Sequence, residues 1–574
     1  MTVVSWAAFR EALKESPRAR KMVRWWRARS DGYPRWDALV GGGGPGWAGR
    51  VERARGGSRV LVATSVGAYL PGANLESLIA AALTVRGAEV HALLCDGALS
   101  ACSDCLVSWY PDVRRFAERG PQADLCGTCF RPAAKAFRRL GLPLHSYGEL
   151  IAPDERAAAV RLAWTVPAAD IPGHRLDGLA IGEHALAGAL RFYARGNLRG
   201  EPHGEAVLRR YFEASLLTAH ALRALLARER FDVVVVHHGI YVPMGIIGEV
   251  CRAAGVRIVN WNPAYRKRSF IFSHGDTYHH TLVDEPTGVW ESMEWGRDQE
   301  QALLDYLKSR WQGSQDWIFF HDRPEEDLRA IARELGVDFA KPCIGLLTNV
   351  VWDAQLHYPA NAFPGMLEWL IETIEYFRSR PDLQLVVRVH PAEIRGAIPS
   401  RQLAVDEIRR AVPDLPANVV VIPPESRVST YAAMLQCNAV IIYGTKTGVE
   451  LTSVGKPVVV AGEAWIRNKG LTRDAATREE YFRILDGLPL AEATLDAATV
   501  QRARRYAYHF FFRRMIPVTS IAPTGGWPPF HVSAVGADAL EPGHDLGLDV
   551  ICEGILRGTP FIYPAERLEG GRGG

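Results

Sequence analysis

Four groups of residues have the types and spacing that chemistry needs. The first is Gly444-Thr445-Lys446-Thr447-Gly448, which follows an apolar run from Ala439 to Tyr443. That run reads as a buried strand, and Pro457 to Ala461 reads as the next parallel one. Strand, short polar loop, helix and strand make a βαβ unit, with the loop at a strand's carboxyl end. Backbone N–H groups there, with Thr445, Lys446 and Thr447, suit a phosphate. Gly444 and Gly448 let a ligand approach the backbone closely. Glu450, in the helix's first turns, is placed to reach a ribose or sugar hydroxyl. The plain alternative is an ordinary βα turn, because no Walker pattern is present.

The second group lies at other strand ends of the same half. Asn349 with Asp353, His390-Pro391 with Glu393, and Glu425 with Ser426 each follow an apolar run. With the Thr445–Thr447 loop they are expected to converge on one edge of a parallel sheet, as a nucleotide site requires. His390 would donate to a phosphate, and Pro391 would hold the turn after it. The third group holds candidate bases. His237 and His238 end the β-branched run that starts at Phe231, and a histidine titrates near neutral pH. Glu76 and Asp96 follow the first two strands of the chain. Each of these could instead be a helix cap, a turn former or a backbone-bonded side chain.

The fourth group is Cys102-Ser-Asp-Cys105 and Cys126-Gly-Thr-Cys129, separated by 20 residues. This spacing predicts a tetrahedral structural zinc on Cys102, Cys105, Cys126 and Cys129. An iron–sulfur cluster or free thiols are the alternatives, and Cys95 could replace a ligand. Four thiolates leave no open position, so the metal would brace an insertion.

The elements that position these groups alternate as strand and helix. The chain of 574 residues is too long for one domain. We expect a basic helical extension and Gly-rich linker over 1–55. A first Rossmann-like domain then spans 56–335, with the cysteine insertion at about 95–130. A second spans 336–515, and 516–574 is a tail in which Leu546 to Leu556 docks as a helix. The fold class is α/β, two doubly wound domains facing a cleft. A net charge of +3 gives no reason to expect nucleic-acid binding. No apolar run is long enough to span a membrane and no secretory leader is visible. A cytoplasmic protein is therefore expected. Basic residues around Trp25 and Trp26 would touch the inner face of a membrane, or pack on the main body with a solvated basic face.

Two Rossmann-like domains around one cleft is the GT-B glycosyltransferase architecture. The second domain resembles bacterial capsule polysaccharide biosynthesis proteins, a family that includes Kdo transferases and lies near the HP-motif sialyltransferases. His390-Pro391, Gly444 to Glu450, Gly455-Lys456-Pro457 and Gly462-Glu463-Ala464-Trp465 carry the resemblance. It implies a nucleotide-sugar donor held by the HP histidine and the hydroxyl-bearing loop, and a glycan or other hydroxyl acceptor in the first domain. No DxD-like motif sits at a strand end, which fits metal-independent transfer. A nucleotide-sugar epimerase on the same fold is one alternative. A non-catalytic zinc-containing scaffold of a polysaccharide assembly is the other.

Overall fold

The computed structural model describes residues 32–37, 46–110, 112–312, 315–317, 324–353, 359–533 and 536–568. The Lys21–Arg29 segment with its expected membrane contact, the Gly41–Gly44 run and the Gly570–Gly574 end lie outside these residues.

Two α/β sheets organise the chain. The first contains β1 (Arg59–Ser65), β2 (Glu89–Leu94), β3 (Leu144–Ser146), β4 (Val233–His237), β5 (Arg257–Pro263) and β6 (Ser269–His274). The second contains β7 (Cys343–Leu347), β8 (Gln384–Arg388), β9 (Val419–Ile422), β10 (Ala439–Ile442), β11 (Val458–Val460) and β12 (Arg473–Asp474). The chain then returns to the first sheet at β13 (Ile516–Pro517), giving the order β13-β6-β5-β4-β1-β2-β3. The second sheet runs β12-β11-β10-β7-β8-β9 and is parallel throughout. Val60 to Ala63 and Val233 to Val236 are buried on both faces. That is why these strands read as continuous apolar runs: helices cover both sides of a parallel sheet.

Each sheet has a point where the strand order reverses. In the first, the chain moves from β1 outward to β3, then restarts on β1's other side at β4. In the second, it moves from β7 to β9 and restarts at β10. At such a point neighbouring loops leave the sheet in opposite directions and open a crevice at the strands' carboxyl ends. The crevice of the first sheet is thus flanked by the β4 loop, and that of the second by the β7 and β10 loops.

The stretch after β13, expected as a tail, completes the first domain. The helix Leu546–Arg557 packs Leu548, Ile551 and Ile555 into the same core as Val60 and Val62. Asp545 starts it, accepting from Leu548 N–H at 3.1 Å and from the Ser520 N–H and hydroxyl at 2.9 and 2.8 Å. Replacing a buried cap of this kind costs about 2 kcal/mol. Asp545→Ala should therefore lower the melting temperature by several degrees with nucleotide binding unchanged.

The described residues do not bear out the expected four-cysteine site. Among the described residues, no group of three or more His, Cys, Asp or Glu side chains is placed to hold a metal ion. Cys105 and Cys129 are buried in the apolar core of the first domain. The Cys102 and Cys105 sulfurs lie 3.8 Å apart, but Cys129 Sγ accepts the Ala68 N–H at 3.2 Å. Burial raises the Cys105 and Cys129 pKa values well above 9.0, so both are neutral thiols. The 20-residue spacer is not a metal loop. It folds into the helix Val113–Arg119 and a wide turn, Gln122–Cys126, with Phe116 stacked on Phe192 at 4.6 Å. The helix Gly127–Arg139 then carries Cys129 into that core as a packing residue.

Candidate functional site

The carboxyl ends of both sheets open on one cavity of about 1060 Å³. The second sheet supplies one wall through three strand-end loops, with Thr348 and Asn349 after β7, His390 and Pro391 after β8, and Gly444 to Thr447 after β10. Asn349 Oδ1 accepts the Gly444 N–H at 3.3 Å, which ties two of these loops across the reversal point. Thr445 and Thr447 hydroxyls lie 3.2 Å apart, and Thr445 Oγ1 also accepts the Thr447 N–H. The His390 N–H donates to Thr348 Oγ1 at 3.0 Å, and its Nδ1 accepts the Ala392 N–H at 3.0 Å. An accepting Nδ1 puts the ring proton on Nε2. His390 is thereby fixed as a donor, the form a phosphate oxygen needs.

Beneath the β10 loop lies a buried charge cluster. Lys446 Nζ donates to Glu450 Oε1 at 2.9 Å, and Arg310 Nε donates to the same oxygen at 3.2 Å. The Tyr431 hydroxyl donates to the other carboxylate oxygen. Arg310 also donates to Asp316, whose Oδ1 accepts the Tyr306 hydroxyl at 2.9 Å. Two cations and two carboxylates thus balance. Burial would raise the Glu450 pKa, but Arg310 and Lys446 outweigh it and hold the carboxyl at about 2. Glu450 is 1% exposed and fully engaged. It does not line the cavity to reach a ribose, as the sequence suggested, but fixes Lys446 at the cavity floor.

The first domain supplies the opposite wall. His238 faces the cavity with Glu183, Leu186, Tyr278 and His279. β4 ends in a strained turn in which His238, Gly239 and Tyr241 have φ of +65°, +77° and +67°. Non-glycine residues in the left-handed region are uncommon and concentrate where function holds them. His238 Nδ1 is buried without a hydrogen-bond partner. Burial, then His237 and Arg191, push the His238 pKa well below 6.5, so its imidazole is neutral. Direct bonds hold the two walls together. The Tyr241 hydroxyl donates to Asp353 Oδ1 at 3.1 Å, and Lys469 Nζ donates to the Val283 and Glu285 carbonyls at 2.9 and 2.8 Å.

Several expected site residues lie elsewhere. Glu76 is wholly buried and accepts from Trp261 Nε1 at 2.8 Å; burial pushes its carboxyl up to about 7. Asp96 is exposed and accepts the Gly148 N–H at 3.0 Å. His237 stacks on Tyr69 and packs against the tilted Trp261 ring, with centroids at 4.6 and 4.7 Å. None of the three lines the cavity. Glu393 is buried behind the β8 loop, where it accepts the Ala404 N–H at 3.2 Å. Gly448 is a packing residue, since a Cβ there would meet Ile442 at 2.6 Å. The Glu425–Ser426 loop stays off the cavity and gives the Ser426 carbonyl to Arg388 at 3.1 Å. Arg310, Tyr265, Tyr431 and His279 line the cavity although no local motif marks them. Arg310 sits on the helix Arg297–Gln312, 140 positions in sequence from the Glu450 it meets.

Fold and site together define an α/β protein with one mixed and one parallel sheet whose strand ends open on a common cavity. Residues 341–501 match the family described as "Capsule polysaccharide biosynthesis protein". The resemblance carried by His390-Pro391 and Gly444 to Glu450 holds over these residues. No curated protein matches the chain. The fold is similar to that of "Thermosulfurimonas dismutans KpsC, beta Kdo 2,4 transferase", with 13% identity, a TM-score of 0.32, and 48% of this chain and 79% of that one covered. It is also similar to UDP-GlcNAc 2-epimerase from Neisseria meningitidis, with 10% identity, a TM-score of 0.25, and coverage of 78% and 98%. A third is α,α-trehalose 6-phosphate synthase from Burkholderia multivorans, with 12% identity, a TM-score of 0.27, and coverage of 79% and 95%. At these TM-scores the likenesses do not bear on the site. Among the described residues, no helix is long and apolar enough to cross a membrane.

Proposed function

We propose that the protein is a GT-B-type glycosyltransferase that moves a sugar from a nucleotide-activated donor to a hydroxyl acceptor in polysaccharide biosynthesis. The observation that carries this reading is the cavity itself. One wall presents hydroxyl, imidazole and ammonium donors suited to a phosphate, and the other a neutral imidazole whose Nδ1 is buried without a partner. The donor's phosphate would take the His390 Nε2 proton, the Thr445 and Thr447 hydroxyls, backbone N–H groups of the β10 loop and the Lys446 charge. As the bond from the anomeric carbon to the phosphate oxygen breaks, these groups receive the developing negative charge. Cationic and neutral donors on this wall can do this without a metal, and we assign metal-independent transfer on that donor set. For transfer with inversion, the acceptor hydroxyl gives its proton to His238 while its oxygen bonds the anomeric carbon. Such work places the protein on the cytoplasmic side of a membrane, where activated sugars are made.

The test is a thermal-shift screen against CMP, UDP, GDP, ADP and dTDP. A ligand that binds only the folded state raises the melting temperature by mass action. One nucleotide should give a shift, and His390→Ala should weaken its binding by about tenfold to a hundredfold, the loss of one charge-assisted hydrogen bond. No shift with any nucleotide would overturn the reading. Turnover of the donor without any acceptor would favour an epimerase.

A further inference from the structure

A row of aromatic rings leads out of the cavity. Trp465 and His279 line it, with centroids 5.7 Å apart, and His279 stacks on His238 at 5.6 Å. The row continues through His237 at 5.6 Å and Tyr69 at 4.6 Å, and ends at Trp527 at 6.5 Å. Tyr69 and His237 are partly exposed. Trp527 is 57% exposed.

Trp527 is held on a built support. It sits at the tip of a hairpin of β14 (Ile521–Pro523) and β15 (Phe530–Val532). The base of the hairpin is anchored by Ile521 and Phe530, both fully buried, with Phe530 stacked on Trp317 at 5.5 Å. The tip is cross-braced by Thr524, which accepts the Gly526 N–H at 3.2 Å and donates the N–H it carries to the Pro529 carbonyl at 3.0 Å. Fixing a large apolar ring in water has a cost that a core does not require, and an aromatic ring presents a flat apolar face with little side-chain entropy to lose.

Resting on the transferase reading above, we propose that the acceptor is an oligosaccharide and that Tyr69 and Trp527 form its outer subsites. The C–H face of a sugar ring is apolar and flat, and its hydroxyls lie at the rim. It therefore stacks on an aromatic face while its edge stays hydrated. Tyr69 gives one face to His237 at 4.6 Å and lies 6.5 Å from Trp527, so the two rings are close enough to meet neighbouring sugar units. The terminal sugar meets His238, and the preceding units run outward over Tyr69 to Trp527. A lipid surface suits this hairpin less well. Residues 521–533 carry no Lys or Arg, and Trp527 is the one large apolar side chain exposed on it among the described residues. Membrane-facing tips carry clustered apolar residues or basic charge.

The experiment compares wild type, Trp527→Ala and Trp527→Tyr. Each is titrated with a ladder of bacterial surface oligosaccharides, from single sugars to hexasaccharides, and binding is followed by tryptophan fluorescence and by calorimetry. Wild type should gain about tenfold in affinity between the shortest and longest ligands of a binding series. Trp527→Ala should lose that gain while single-sugar binding stays, and Trp527→Tyr should restore most of it. Affinity that ignores length, an unchanged Trp527→Ala, or no binding to any ladder overturns the proposal. So does Trp527-dependent binding to phospholipid vesicles in its place. Nucleotide thermal shifts on the same samples keep the two readings apart. Shifts without glycan binding sink the acceptor subsites alone, and glycan binding without shifts sinks the transferase reading.

Discussion

His238→Asn is expected to lower kcat by about a hundredfold to ten-thousandfold, the usual contribution of a positioned base, with the nucleotide thermal shift unchanged. Asparagine is the informative replacement. The residue has a φ of +65°, and Asn tolerates that region better than Ala or Val. Fold and backbone strain are thus preserved while the proton acceptor is lost. The pH profile adds a second reading. His238 is neutral because burial, His237 and Arg191 push its pKa well below 6.5. A base of this kind works from alkaline pH down through neutrality, and activity falls only when acid reaches its depressed pKa. The acid limb of kcat/KM should therefore begin below pH 6.5. Glu76, the rival carboxylate, has a pKa of about 7 and would put the midpoint near neutrality. A loss under about tenfold in His238→Asn, or an acid limb centred near 7, would remove His238 from the chemistry.

The second sheet was more legible than the first. The runs Ala439 to Tyr443 and Pro457 to Ala461 are the strands Ala439–Ile442 and Val458–Val460, each end within one residue of the sequence reading. Parallel strands buried on both faces leave long β-branched runs, and the polar residue after each run marks the cavity edge. Asn349, His390 and Thr445 were found in this way. The first domain hides its partners. The helix after β1 begins at Leu70 with Pro71 in its first turn, so Glu76 falls inside a buried helix instead of at a strand end. Antiparallel β6 and the returning β13 have no signal that a parallel-sheet template can read. Sequence distance is the main obstacle: Arg310 meets Glu450 across 140 positions. The same reasoning misled at Glu450. A carboxylate in the first turns beside a phosphate loop looks like a ligand group, yet two cations compete for it first. The cysteine spacing failed for a related reason, since spacing alone cannot tell a thiol facing a core from one facing an ion.

Glu450→Gln should destabilise the protein by about 3–5 kcal/mol, the cost of removing one partner from a buried ion network. Arg310 and Lys446 would keep their charges but lose the carboxylate they share. For a domain of this size that corresponds to a fall in melting temperature of roughly 10 °C. The acid dependence has a definite sign. The Glu450 pKa is lowered from 4.5 to about 2 in the folded state. Its contribution is therefore present above pH 4.5 and is lost as pH falls towards 2. Wild type should lose stability across that window, and Glu450→Gln should show a shallower loss there. The variant also reports on the ligand. Lys446 is held at the cavity floor by the carboxylate, so the variant has one uncompensated positive charge beside the phosphate loop. A nucleotide phosphate supplies the missing negative charge, and the nucleotide-induced rise in melting temperature should be larger in Glu450→Gln than in wild type. A destabilised variant with a smaller or absent shift would mean that Lys446 does not meet the phosphate. The cluster would then be a brace between the β10 loop and the helix carrying Arg310, with the phosphate held by His390, Thr445 and Thr447 alone.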